Sequence, residues 1–224
     1  MQLFIASMLI FISNETQAGR QCFFSHPDPD PVLVNGKQYL FFKPGAQGHQ
    51  YLYENTFYTG SVIINGQIYY DLRINLDIYN QQLILQFITS QGVEQQLEMS
   101  DAWISSFSLN ERNFEIIAGA DGIKQIFQVI GSDSVRVLYS WKKTLKMNPH
   151  SGKYYFSAPA KISFLSMNGE LKPYKNNRSF VSCFPDENIQ HIKKYLKTNR
   201  IKVSKLNDFN MEGLIQYCKT IYQN

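Results

Sequence analysis

The sequence predicts a mainly β protein: an antiparallel meander forming a barrel or a strongly curved sheet, with a C-terminal two-helix segment packed on it, or else a β-sandwich. Three observations carry this. Along residues 67–78 the apolar side chains fall on even numbers, Ile68, Tyr70, Leu72, Ile74, Leu76 and Ile78, while Asp71, Arg73, Asn75 and Asp77 take the other face. A period of two is a strand with one face in a core and one in water. Asn65-Gly66 and Asn168-Gly169 are the strongest short hairpin signals, since both residues tolerate positive φ. After Pro185 the period lengthens to that of a helix.

The elements follow in chain order. Leu3–Ile12 is an apolar run of roughly ten residues, the length of a signal-peptide core and too short for a bilayer span of about 20. Thr16-Gln17-Ala18 supplies small residues where a signal peptidase reads, so cleavage is expected after Ala18. The alternative is a buried N-terminal strand or helix. Residues 1–18 are thus read as signal peptide, and 19–31 as an extended linker in which alternating prolines up to Pro31 favour polyproline II. Residues 32–184 are read as the β domain. Its strands are expected over Tyr58–Ile64, the comb at 67–78, Leu83–Phe87, Val93–Met99, Trp103–Leu109, Phe114–Ile117, Ile123–Ile130, Val135–Trp141, Tyr154–Phe156 and Lys161–Met167. Gly-, Asn- and Asp-bearing turns separate them at the spacing of a meander. Residues 185–224 are read as a helical hairpin. Ile189, Ile192, Tyr195 and Leu196 line one stripe of its first helix and Lys193, Lys194 and Lys197 face water as a candidate basic surface. A second helix is expected to begin after Asn207 or Asp208, with Leu214, Ile215, Cys218 and Ile221 at helical spacing.

Composition narrows the function classes. Aromatic residues make up 14% of the chain and charged residues 18%, a balance suited to half-buried sheets. From 141 to 224 there are fifteen Lys and Arg against five Asp and Glu, whereas 1–140 holds seven against thirteen. The formal charge of +4 therefore conceals a basic C-terminal end, which could meet an anionic glycolipid surface, an acidic partner or, least expected in an exported protein, nucleic acid. No transmembrane segment is expected in the mature chain.

Motifs for catalysis are missing. His26, His49, His150 and His191 are isolated, no Gly-rich phosphate loop or nucleophile elbow is present, and no cofactor is expected. A hydrolase would have to draw on carboxylates such as Asp71 and Asp77, but six residues of strand hold these about 20 Å apart. Cys183 and Cys218 are a candidate disulfide that would staple the helical hairpin, leaving Cys22 over; alternatively Cys218 is a packing residue of its helix stripe. Tyr51, Tyr53, Tyr69 and Tyr79 are a candidate aromatic patch for a glycan or an apolar chain, against the reading that they serve as core and cross-strand pairs.

Gly60-Ser61-Val62, Asn65-Gly66-Gln67-Ile68-Tyr69 and the run from Asn75 to Leu83 resemble uncharacterised exported bacterial proteins that open with a signal peptide, run through a β-meander and finish in a short helical segment. The resemblance implies a fold and a place outside the cytoplasm: periplasmic, outer-membrane-associated or secreted. The function expected is a non-enzymatic binding or structural module of the envelope, with an apolar or glycan ligand or an envelope protein as partner. The alternative is the carboxylate hydrolase.

Overall fold

The computed structural model describes residues 20–21, 30–40, 43, 45–119, 122–132 and 134–222. The segment read as signal peptide, Cys22, His26 and most of the segment read as linker lie outside the described residues. Fourteen strands are formed in chain order: β1 Arg20–Gln21, β2 Gly36–Gln38, β3 Tyr58–Ile64, β4 Gln67–Asp77, β5 Gln82–Ile88, β6 Glu94–Met99, β7 Ile104–Leu109, β8 Arg112–Ala118, β9 Lys124–Ile130, β10 Val135–Lys142, β11 Leu145–Met147, β12 Tyr154–Phe156, β13 Ala160–Met167 and β14 Glu170–Tyr174. Three helices follow, α1 Asn177–Val181, α2 Asp186–Thr198 and α3 Asp208–Tyr222. The mainly β class and the two C-terminal helices agree with the sequence. The five-residue α1 falls inside the segment read as β domain. Its nucleus is a capping box, in which Asn176 Oδ1 accepts from the Ser179 amide and Ser179 Oγ accepts from the Asn176 amide.

One sheet runs in the order β14-β13-β10-β9-β8-β7-β3-β4-β5-β6-β2, every neighbouring pair antiparallel. The hairpin β11–β12 stands apart from it. The backbone of Arg20–Gln21, inside the segment read as linker, pairs in parallel with Tyr69 and Tyr70 of β4, on the stretch of β4 that β5 leaves unpaired. The barrel is not formed. β14 and β2 are the two ends of the order, so the sheet stays open. It is nevertheless rolled: Gln81, in the turn after β4, donates to the Trp141 carbonyl of β10 at 2.9 Å, although five strand spacings separate β4 from β10. In a flat sheet those spacings would amount to about 24 Å.

The comb of β4 is interrupted. Gly60 of β3 pairs with Leu72 and Val62 with Tyr69, so Ser61 alone opposes Tyr70 and Asp71, and Asp71 takes φ +57°. This β-bulge shifts the alternation by one residue. Tyr69 is 2% exposed and points into the core, while Tyr70, expected inside, is 40% exposed. Leu72, Ile74 and Leu76 keep the expected face. Gly60 sits where a Cβ would come within 2.3 Å of the Ser108 carbonyl oxygen, which explains the absence of a side chain there.

Two cores lie along the rolled sheet. The first gathers residues from Leu33 to Ile126, mainly from β3 to β9; the second joins Ile130, Val135, Val137, Tyr139, Leu165 and Met167 to the inner faces of the helices. Trp141 packs against both. A third, small cluster of Tyr51, Phe57 and Ile84 sits on the opposite face of β4 and β5. There residues 50–52 pair edge-on with the end of β4 through an antiparallel bridge between Tyr51 and Asp77, the Leu52 amide donating to the Leu76 carbonyl and the Ile78 amide to the Gln50 carbonyl. Asn75 and Asp77, expected in water, are fully buried: Asn75 Nδ2 donates to the Glu54 and Thr56 carbonyls, and Asp77 is met by Tyr39 and Asn80.

Candidate functional site

Asp77 illustrates a buried carboxylate held for structure. Its Oδ1 accepts from the backbone amides of Tyr79 and Asn80 at 2.9 and 2.8 Å, and its Oδ2 accepts from the Tyr39 hydroxyl and Asn80 Nδ2, both at 2.8 Å. Burial, and next the Asp77 charge, push the Tyr39 phenol far above its ordinary value, so it remains a donor. Every oxygen of Asp77 is engaged, and Asp71 is exposed at the bulge, so the two acids of the hydrolase reading are not brought together. Nearby, Lys143 is 9% exposed and donates to the His49 carbonyl at 2.8 Å, tying the segment that bridges to β4 to the end of β10. Burial pushes its ammonium below the ordinary lysine value.

The four tyrosines of the expected aromatic patch are dispersed. Tyr51 and Tyr69 are buried on opposite faces of the sheet, Tyr53 packs edge-on against Tyr58, and Tyr79 packs edge-on against Phe156. They are core and cross-strand pairs. Cys183 and Cys218 are free and buried, which corrects the disulfide. The Cys183 thiol lies against the Ser179 carbonyl at 3.2 Å, beside α1, whereas Cys218 fills the inner stripe of α3 with Met211, Leu214 and Ile215. Burial alone pushes the Cys218 thiol up to about 12, leaving it protonated. Thiol labelling of folded protein is accordingly expected to leave both unreacted, and denaturation to release both. A mass two hydrogens lower that reductant restores, with neither thiol released on unfolding without reductant, would restore the bridge.

The surface with chemistry to offer is on the helical cap. In α3 the inward positions are Met211, Leu214, Ile215 and Cys218, and Phe209 falls outside that stripe, 82% exposed. The loop that leads into α3 starts at Arg200, whose φ of +52° ends the helical run of α2, and it presents exposed Arg200, Lys202 and Lys205. Together with Tyr195, Leu206 and Phe209 these cations line a cleft of about 830 Å³ between α2 and α3. Lys193, Lys194 and Lys197 are exposed on α2, as expected, but do not line it.

A second cleft, of about 820 Å³, shares Phe209 and Glu212 and is lined on its other side by Arg112, Glu115, Gln128 and Asp208. Beneath it a chain of polar contacts fastens the cap to the sheet. Trp141 Nε1 donates to Gln128 Oε1 at 2.8 Å, Gln128 Nε2 donates to Asp208 Oδ2 at 2.9 Å, and Arg112 Nε meets the same oxygen at 2.8 Å. Arg112 also lies over the Tyr53 ring, and Lys161 over the Tyr139 ring at 3.9 Å. Burial pushes the Tyr139 phenol up to about 12. These groups satisfy one another, so the network positions α3 and thereby Phe209. The sequence reading marked neither Phe209 nor the loop cations. The available signal was an aromatic residue two positions ahead of the α3 stripe.

Among the described residues no group of three or more His, Cys, Asp and Glu is placed to hold a metal ion, and no helix is long and apolar enough to cross a membrane. No family model, no curated protein and no solved structure matches the chain.

Proposed function

We propose that the protein is an exported, non-enzymatic binding module of the bacterial envelope, and that it binds an anionic, partly apolar ligand in the cleft of its helical cap. The observation that carries this is the cleft itself: three exposed cations, Arg200, Lys202 and Lys205, beside a ring 82% exposed at Phe209. An aromatic face next to cations rewards a ligand that presents negative charge and apolar surface together, since neither group alone would use both features. The concave face of the sheet is a poorer candidate, because its side chains pack against one another into two cores. Export is the expectation drawn from the signal-peptide pattern of residues 1–18.

The test is a titration with lysophosphatidylglycerol kept below its micelle concentration, followed by amide chemical shifts. Shifts are expected at Arg200, Lys202, Lys205 and Phe209, weakened by salt and absent with lysophosphatidylcholine. Equal response to both lipids, or shifts confined to other faces, would overturn the reading.

A further inference from the structure

We infer that the surface around Phe209 docks on an anionic phospholipid leaflet, its ring entering the interface while Arg200, Lys202 and Lys205 meet lipid phosphates. This rests on the reading of the cap cleft as the binding surface, and names the form in which the ligand is met. A single exposed aromatic residue is ordinary on a protein surface. Phe209 differs in its setting. It stands at the start of α3, at the margin of two clefts, with the half-buried Leu206 beside it and cations on one side. On the other side the acids are largely engaged, Asp208 with Arg112 and Glu115 with Arg136; Glu111 adds to that lining, and Glu212 lines both clefts, the one acid of the basic cleft among the described residues. The surface is therefore basic on one flank of the ring and acidic on the other. That polarity fixes a tilt, with the 200–206 loop toward the headgroups and the β7–β8 turn away from them.

The excess of fifteen cations over five acids in residues 141–224, including Lys193, Lys194 and Lys197 on α2, supplies longer-range attraction to an anionic leaflet. A free phosphate would use the cations and leave the ring idle. An acidic peptide added as a strand would need a sheet edge, and this cleft is lined by α2, α3 and the loop between them rather than by a strand. A leaflet uses both features, because cationic and aromatic side chains are the ones that settle at a headgroup boundary.

The experiment is co-sedimentation of the full chain with vesicles of mixed phosphatidylglycerol and phosphatidylcholine, against vesicles of phosphatidylcholine alone. Binding is expected only to the mixed vesicles. Each cation contributes about fivefold to partitioning, so Arg200→Ser, Lys202→Ser and Lys205→Ser combined should weaken it about a hundredfold. Phe209→Ser should weaken it about tenfold or more, with its melting curve unchanged because the ring is exposed. In Phe209→Trp the emission should shift to the blue on mixed vesicles and be quenched by brominated acyl chains. Wild-type affinity in both the Ser variants, or no quenching, would overturn the docking. Absence of vesicle binding by the unsubstituted protein with its lysophosphatidylglycerol shifts present would overturn the leaflet and spare the cleft; absence of both would overturn both.

Discussion

Tyr69→Asp is expected to unfold the protein, and Tyr70→Asp to leave it folded. The two positions are adjacent and carry the same residue, but the bulge at Asp71 turns the first into the core, at 2% exposure, and the second outward, at 40%. Placing an unpaired carboxylate where Tyr69 stands loses a large buried side chain and strands a charge, a cost of about 5 kcal/mol or more. That is comparable with the whole stability of an ordinary domain, about 5 to 15 kcal/mol. At Tyr70 the cost should stay within about 1 kcal/mol. Urea denaturation followed by circular dichroism decides. An unfolded Tyr70→Asp beside a folded Tyr69→Asp would mean that the alternation runs unbroken through β4.

Asp77→Ala is expected to lower stability by about 4 kcal/mol, because four donors, two of them backbone amides, lose a charged acceptor in a buried turn. Asp77→Asn keeps one acceptor oxygen and should recover about half of that. The comparison of urea midpoints tests the claim. A loss below about 1 kcal/mol in the alanine variant would show that water replaces the carboxylate at these four donors.

The reasons some of this was legible are visible residue by residue. From Leu72 to Ile78 the alternation is strict and the buried face was read correctly, as were both Asn-Gly turns and the stripes of α2 and α3. The bulge was hidden because Tyr69 and Tyr70 are identical, so either residue completes the pattern. Asn75 and Asp77 read as solvent-facing because their partners, Tyr39, Glu54, Thr56 and Asn80, come from segments without periodicity of their own. Five residues are too few for a 3.6-residue period to show, which concealed α1. The candidate site was less legible still: Arg112, Gln128 and Trp141 come from the neighbouring strands β8, β9 and β10 and Asp208 from α3, and they meet only where the helical cap packs on the sheet. The disulfide failed for a similar reason, since sequence proximity to helices does not say which way each thiol faces.

The division of the buried residues between the two cores sets an order of assembly. Everything in the first, from Leu33 to Ile126, precedes everything in the second, from Ile130 to Cys218, although both belong to one sheet. A chain that emerges amino end first can consolidate the first core while the helices are still absent, leaving β9 and β10 as an apolar edge that waits for its cover. Trp141, in contact with both, is the point at which the later half is fitted to the earlier. The cleft between α2 and α3 is built from residues that follow every strand of the sheet in the chain, so it can form only after the sheet that carries it.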